Sequence, residues 1–117
     1  DEIVIMGDFN IAPRDEDVYD IEKFVSTTHT TKREREALEN IIGLGFIDAY
    51  RELYPDVEGF TYWDYRNGDF NNNRGLRIDL ALVSESLKPR IRNFTISRES
   101  RIGDSPSDHA AIILELT

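Results

Sequence analysis

Three short stretches of this 117-residue chain carry side chains that can do chemistry: Gly7-Asp8-Phe9-Asn10, Arg77-Ile78-Asp79 and Ser107-Asp108-His109. Asp8 and Asn10 close an apolar run. Residues two apart in a strand share a face, so this carboxylate and amide point the same way while Phe9 points into the core. Together they can hold a metal and a phosphate oxygen. Gly, Asp and Asn are also ordinary turn residues, which is the plainer account of the same letters. Asp79 sits inside the apolar run Ile78, Leu80, Ala81, Leu82, Val83. A carboxylate taken out of water there needs a partner. Arg77 on the same face is one choice and His109 is the other; the second makes a pair in which the carboxylate orients the imidazole. Asp108 and His109 are neighbours just ahead of a strand. They can serve one site only where the backbone turns, which Ser105, Pro106 and Ser107 favour.

A second group suits ligand contact. Tyr62, Trp63 and Tyr65 stand beside Arg66 and the polar loop 67–74. Aromatic rings next to arginines fit stacking on a sugar or base with phosphate contact, although core packing is their commoner use. Trp63 is expected to be partly exposed. His29, among threonines, reads as an exposed loop residue and not as a ligand.

The elements that must hold these residues follow from pattern. Residues 2–6 read as a strand buried on both faces. Residues 12–31 are a polar loop with a helical turn near 17–24. Thr31 and Glu34 match a capping box, so a helix starts there, shows the stripe Leu38, Ile41, Ile42 and stops at Gly43 or Gly45. Residues 46–54 form a turn or short helix ended by Pro55. Residues 59–63 are β-prone. Strands are expected at 77–83, 90–97 and 109–116, joined by a turn at 84–88 and a loop at 98–107.

Composition narrows the classes. The formal charge of −9 excludes a uniformly basic nucleic-acid binder. Residues 61–103 nonetheless carry eight Lys/Arg against five acids, so a local face can still meet phosphates. Without cysteine there is no disulfide framework or thiolate metal site, which suits a reducing, cytoplasmic setting. No apolar run reaches membrane-spanning length, so no membrane partner is expected. No signal peptide is expected, since the residues Asp1–Met6 show no basic start and no cleavage site. The chain opens inside a strand without an initiator Met, which leads us to expect one domain or part of one, with no repeat and no linker.

The motifs Gly7-Asp8-Phe9-Asn10, Phe60-Thr61-Tyr62-Trp63-Asp64-Tyr65-Arg66, Asn73-Arg74-Gly75-Leu76-Arg77-Ile78-Asp79 and Pro106-Ser107-Asp108-His109 occur in that order. This set resembles the C-terminal half of the exonuclease III family of apurinic/apyrimidinic endonucleases, within the endonuclease/exonuclease/phosphatase superfamily. The resemblance covers residues 1–117 and implies an α/β fold: half of a four-layered sandwich, helix–sheet–sheet–helix, with mostly antiparallel or mixed sheets. It implies metal-dependent phosphodiester hydrolysis in DNA repair, with Mg²⁺ or Mn²⁺, on double-stranded DNA with abasic sites or 3′ ends. By position, Asp8, Asn10, Asp79 and His109 are then catalytic. Asp8, Asn10, Asp108 and His109 are the metal-site candidates. Trp63 and Leu76 line the pocket for a base-less sugar, and Arg66, Arg74 and Arg77 contact DNA or support the motif. The first half of the family's domain, with a metal-binding glutamate and an active-site tyrosine, has no counterpart in these residues. The chain alone is therefore expected to be inactive, to need that N-terminal half as its partner, and to leave one apolar sheet face open or self-associated. Another phosphatase or phosphodiesterase of the superfamily and a non-catalytic DNA-binding fragment are the competing readings.

Overall fold

The apolar run after Arg77 becomes the middle of the molecule. The computed structural model describes residues 1–24, 28–65, 68–102 and 106–117. Its elements in chain order are β1 (Val4–Asp8), α1 (Lys32–Ile42), β2 (Phe46–Asp48), α2 (Ala49–Leu53), β3 (Asp79–Ser84), β4 (Ile91–Ser97) and β5 (Ala111–Leu116), with short 3₁₀ turns between them. β3 lies between β1 and β2 in a three-stranded antiparallel sheet, and β4 pairs antiparallel with β5 in a second sheet. The mixed α/β class with antiparallel sheets is the expected one.

β3 is apolar on both faces because both are covered. Leu80 and Leu82 meet Leu38, Ile41 and Ile42 of α1. Ala81 and Val83 meet Ala49 and Tyr50 of α2, Phe94 of β4, and Ile112 and Leu114 of β5. Of the apolar residues expected on an open sheet face, Leu80 and Leu82 are therefore covered, while Ile3 and Ile5 are exposed. α1 begins at the expected capping box: Thr31 Oγ1 accepts from the Glu34 N–H at 3.2 Å, and the Glu34 carboxylate accepts from the Thr31 N–H at 3.2 Å. It stops at Gly43, whose N–H donates to Glu39 O.

Two expectations fail. β1 is an outer strand, and Ile3, Val4, Ile5 and Met6 are 38–44% exposed. Apolar composition alone could not tell a central strand from an edge one. Residues 59–63 form no strand; Tyr62 makes isolated bridges to Leu76 and His109.

A buried ionic cluster joins three distant segments. Arg77 donates to Asp17 (Nε, 2.8 Å) and to Asp48 (Nη1, 3.0 Å; Nη2, 2.6 Å). Arg51 donates to Asp17 and to the carbonyls of Tyr54 and Val57. Burial alone would lower the Arg77 pKa, but its bonds and proximity to Asp48 and Asp17 win and raise it. Removing one partner of such a cluster strands a charge.

Candidate active site at the ends of β1, β3 and β5

Antiparallel pairing puts Asp8, last in β1, directly opposite Asp79, first in β3. Like charges placed across an antiparallel pair are destabilising unless something answers them. His109 is the group that does so here. It sits in the turn leading to β5, fixed by its own N–H donating to Ser107 Oγ at 3.0 Å and by Trp63 N–H donating to Asp108 O at 3.0 Å. Its Nδ1 lies 2.7 Å from Asp79 Oδ2. An ionised carboxylate can only accept, so Nδ1 carries the proton. Nε2 is left 3.6 Å from Asp8 Oδ2 and 3.8 Å from Asp108 Oδ1. Of the two partners open to Asp79, His109 is the one it takes, because Arg77 is engaged with Asp17 and Asp48.

Burial pushes the Asp79 carboxyl above its ordinary value, against the opposing pull of its bonds to His109 and Thr61. Thr61, fully buried, accepts from the N–H groups of Ile78 and Asp79 at 3.1 Å each and so fixes the start of β3. Asn10 follows Asp8 through a tight turn in which its N–H donates to Asp8 Oδ1 at 2.9 Å. Ligand atoms of Asp8, Asp79 and His109 lie within 4.8 Å of one another. Carboxylate oxygens in a partly open, net-negative pocket fit a divalent cation that keeps several waters.

The other expected residues divide. Leu76 and Arg74 line a cleft of about 320 Å³ with Tyr62 and His29; Leu76 is otherwise a core residue, packed on Ala12, Val18 and Ile78. Arg74 donates to Asp69 at 2.9 Å. Arg66 lies outside the described residues. Two expectations are corrected. Trp63 is 1% exposed, packed with Phe60 and Ala110, edge-on to Phe70, and donating Nε1–H to Asn73 Oδ1 at 3.1 Å. Gly75 is needed beneath it, since a Cβ there would fall 2.6 Å from the indole nitrogen. Arg77, buried in its ionic cluster, supports the fold and does not face a ligand.

Tyr62, one of the aromatic residues read as suited to ligand contact, places its ring 5.1 Å from the His109 ring. One residue was missed. His29 is partly buried, and its Nδ1 lies 2.8 Å from Asn10 O, so it is not a free loop residue.

The family model described as "Endonuclease/Exonuclease/phosphatase family" matches residues 1–109. Exodeoxyribonuclease III of Haemophilus influenzae is 37% identical over 120 residues, an alignment covering 97% of this chain and 45% of that protein. The solved structure of the 3′ phosphatase NExo from Neisseria bound to product DNA hairpin superposes with a TM-score of 0.96 at 37% identity, over 99% of this chain and 45% of that one. An AP endonuclease from Archaeoglobus fulgidus gives a TM-score of 0.94 at 29% identity, over 98% and 45%. The chain thus spans less than half the length of each of these relatives.

Proposed function

The chain belongs to the endonuclease/exonuclease/phosphatase family, and from that premise we propose that residues 1–117 supply one half, the C-terminal one, of a divalent-metal-dependent site hydrolysing phosphodiesters of DNA. The substrate is duplex DNA carrying abasic sites or 3′ ends, and the partner is a complementary N-terminal half of the kind its relatives contain. The observation that carries this reading is the facing pair Asp8 and Asp79 with His109 reaching both. Such a set is costly for a fold and useful for phosphate chemistry. The hairpin-bound Neisseria relative and the nuclease names of the others support DNA as the substrate.

In this reading Asp79 accepts from His109 Nδ1–H and favours the imidazolium, whose Nε2–H donates to a non-bridging phosphate oxygen and stabilises charge as it gathers there. The Asn10 amide donates to the same phosphate group. Asp8 or His109 handles the proton of the water nucleophile or leaving oxygen. Asp8 and Asp108, with Asn10 and His109, would hold the Mg²⁺ or Mn²⁺. When bound, that ion would neutralise phosphate charge and acidify a water. Tyr62, Leu76 and Arg74 line the cleft where the sugar and the flanking phosphate fit. A DNA substrate and a cysteine-free chain suit the cytoplasm; among the described residues no helix is long and apolar enough to cross a membrane. A second reading, removal of a terminal 3′ phosphate, has support in the relative described as a 3′ phosphatase.

The test is a cleavage assay on duplex DNA with one abasic site, and on DNA ending in a 3′ phosphate. It is run with and without Mg²⁺, using the chain alone and the chain joined to the complementary portion of a relative. Metal-dependent cleavage by the joined protein, and none by the chain alone, is expected. Binding without cleavage in the joined protein would favour a non-catalytic DNA-binding role. Hydrolysis confined to small phosphate esters would favour another branch of the superfamily.

A further inference from the structure

Asn10 and His29 both occupy the left-handed region of backbone space, with φ of +55° and +77°. That region is disfavoured for residues with a Cβ and persists where the surroundings enforce it. The two are tied to each other. His29 Nδ1 lies 2.8 Å from Asn10 O, and the Ala12 N–H donates to His29 O at 2.9 Å. A carbonyl oxygen can only accept, so His29 carries its proton on Nδ1 in this bond. On the other side, the Asn10 N–H donates to Asp8 Oδ1. Arg35 Nε donates to Ala12 O at 2.9 Å, pinning the same loop from α1. Both backbone polar groups of Asn10 are therefore engaged, one by Asp8 and one by His29.

We infer that His29 is a positioning residue: by donating Nδ1–H to the Asn10 carbonyl it holds Asn10 in the backbone conformation from which its amide reaches the phosphate. Release of that bond lets φ at Asn10 relax, which redirects the side chain. Misplacement of a group by about 1 Å can cost on the order of 10²-fold in rate. The catalytic consequence rests on the proposed hydrolytic reading; the clamp itself does not.

Three substitutions separate the hydrogen bond from the backbone shape. His29→Asn places an Nδ2–H near the position of Nδ1 and tolerates positive φ. His29→Asp has the same shape and the same tolerance, but an ionised carboxylate cannot donate to a carbonyl. His29→Ala removes the group. In the joined protein, His29→Asp and His29→Ala are expected to lower kcat by about 10-fold or more, with KM for His29→Ala within about twofold and the melting transition unchanged. His29→Asn is expected to keep at least about half of the wild-type kcat. A merely structural role predicts lost folded protein with kcat per folded molecule intact, and that result overturns the inference. So does His29→Asn behaving no better than His29→Asp, or a loss confined to KM. NMR on the ¹⁵N-labelled chain gives a readout free of activity: the Asn10 backbone and side-chain amide signals move in His29→Asp and stay in His29→Asn. If wild type fails to cleave, the hydrolytic reading falls while this measurement still decides the clamp; unmoved Asn10 signals in His29→Asp overturn it.

Discussion

Arg77 and Asp79 are two residues apart, yet they anchor polar clusters of opposite design. Around Arg77, two carboxylates (Asp17, Asp48) meet two guanidiniums (Arg77, Arg51), and Asp17 and Arg77 are almost wholly removed from water. Charge is balanced, and both carboxylates accept from guanidinium donors. Around Asp79, three carboxylates (Asp8, Asp79, Asp108) share one imidazole at distances from 2.7 to 3.8 Å. Charge there is left over, and Asp8 and Asp108 are open to solvent. The first arrangement answers the desolvation cost of its ions internally. The second leaves a negative pocket that a cation and a phosphate can complete. Balance, more than the presence of charged residues, marks which cluster is framework and which is site.

The sharpest way to break this comparison is to unbalance the buried cluster. Asp17→Asn leaves Arg77 and Arg51 short of a counter-charge where water cannot reach. Loss of about 3–5 kcal/mol is expected in a denaturant titration of the chain, or failure to fold at all. A change within about 1 kcal/mol would mean the cluster is hydrated in solution and the contrast with the Asp79 site is wrong.

The converse experiment acts on the open cluster. His109→Ala removes the one group shared by three carboxylates. In the joined protein, DNA cleavage is expected to fall by about 10²–10⁴-fold, the range for loss of a positioned proton-transfer or phosphate-contacting group. Stability is expected to stay within about 1 kcal/mol, since the ring is only partly buried. A stability loss matching that of Asp17→Asn, with cleavage intact, would move His109 into the framework.

These clusters were unequally legible in the sequence. A lone acid in an apolar strand stands out, so Asp79 could be read as a residue in search of a partner, and His109 proved to be it. The buried ionic cluster left no such trace. Asp17, the neighbours Asp48 and Arg51, and Arg77 come from three segments and each looks like surface charge, so nothing local separated DNA contact from motif support at Arg77. Local signals with local causes came through: the Thr31/Glu34 capping box, the α1 stripe and the stop at Gly43. Signals whose meaning depends on a distant neighbour did not. Trp63 looked like a ring beside arginines. The arginines do stand over it, Arg98 at 4.9 Å and Arg101 at 5.6 Å from the ring centroid, but they help bury it instead of sharing a ligand with it. β1 looked central because its composition is that of a central strand, yet it lies at the edge.

The finest form of the comparison holds burial constant. Asp48 and Asp79 have nearly equal side-chain exposure, 14% and 12%. One faces Arg77; the other faces His109 and lies opposite Asp8. If burial set the outcome, converting either to Asn would have one sign. If balance sets it, the signs differ. Asp48→Asn weakens charge-assisted bonds to Arg77, and a loss of about 1–3 kcal/mol is expected. Asp79→Asn removes a carboxyl whose pKa is raised in the fold, chiefly by burial. A raised folded pKa means that the folded state holds the proton more tightly than the unfolded chain does. That contribution to stability is full below the ordinary value of 3.8 and is lost as pH rises through the folded value. At neutral pH the ionised Asp79 is therefore a cost. Asn at this position can still accept from His109 Nδ1 without the charge. Asp79→Asn is expected to be at least as stable as wild type near pH 7, with its advantage shrinking as pH falls toward 4, while its cleavage rate in the joined protein drops. Chemical denaturation of both variants across that pH range checks the pair. Equal losses for Asp48→Asn and Asp79→Asn at pH 7 would show that depth alone governs these carboxylates.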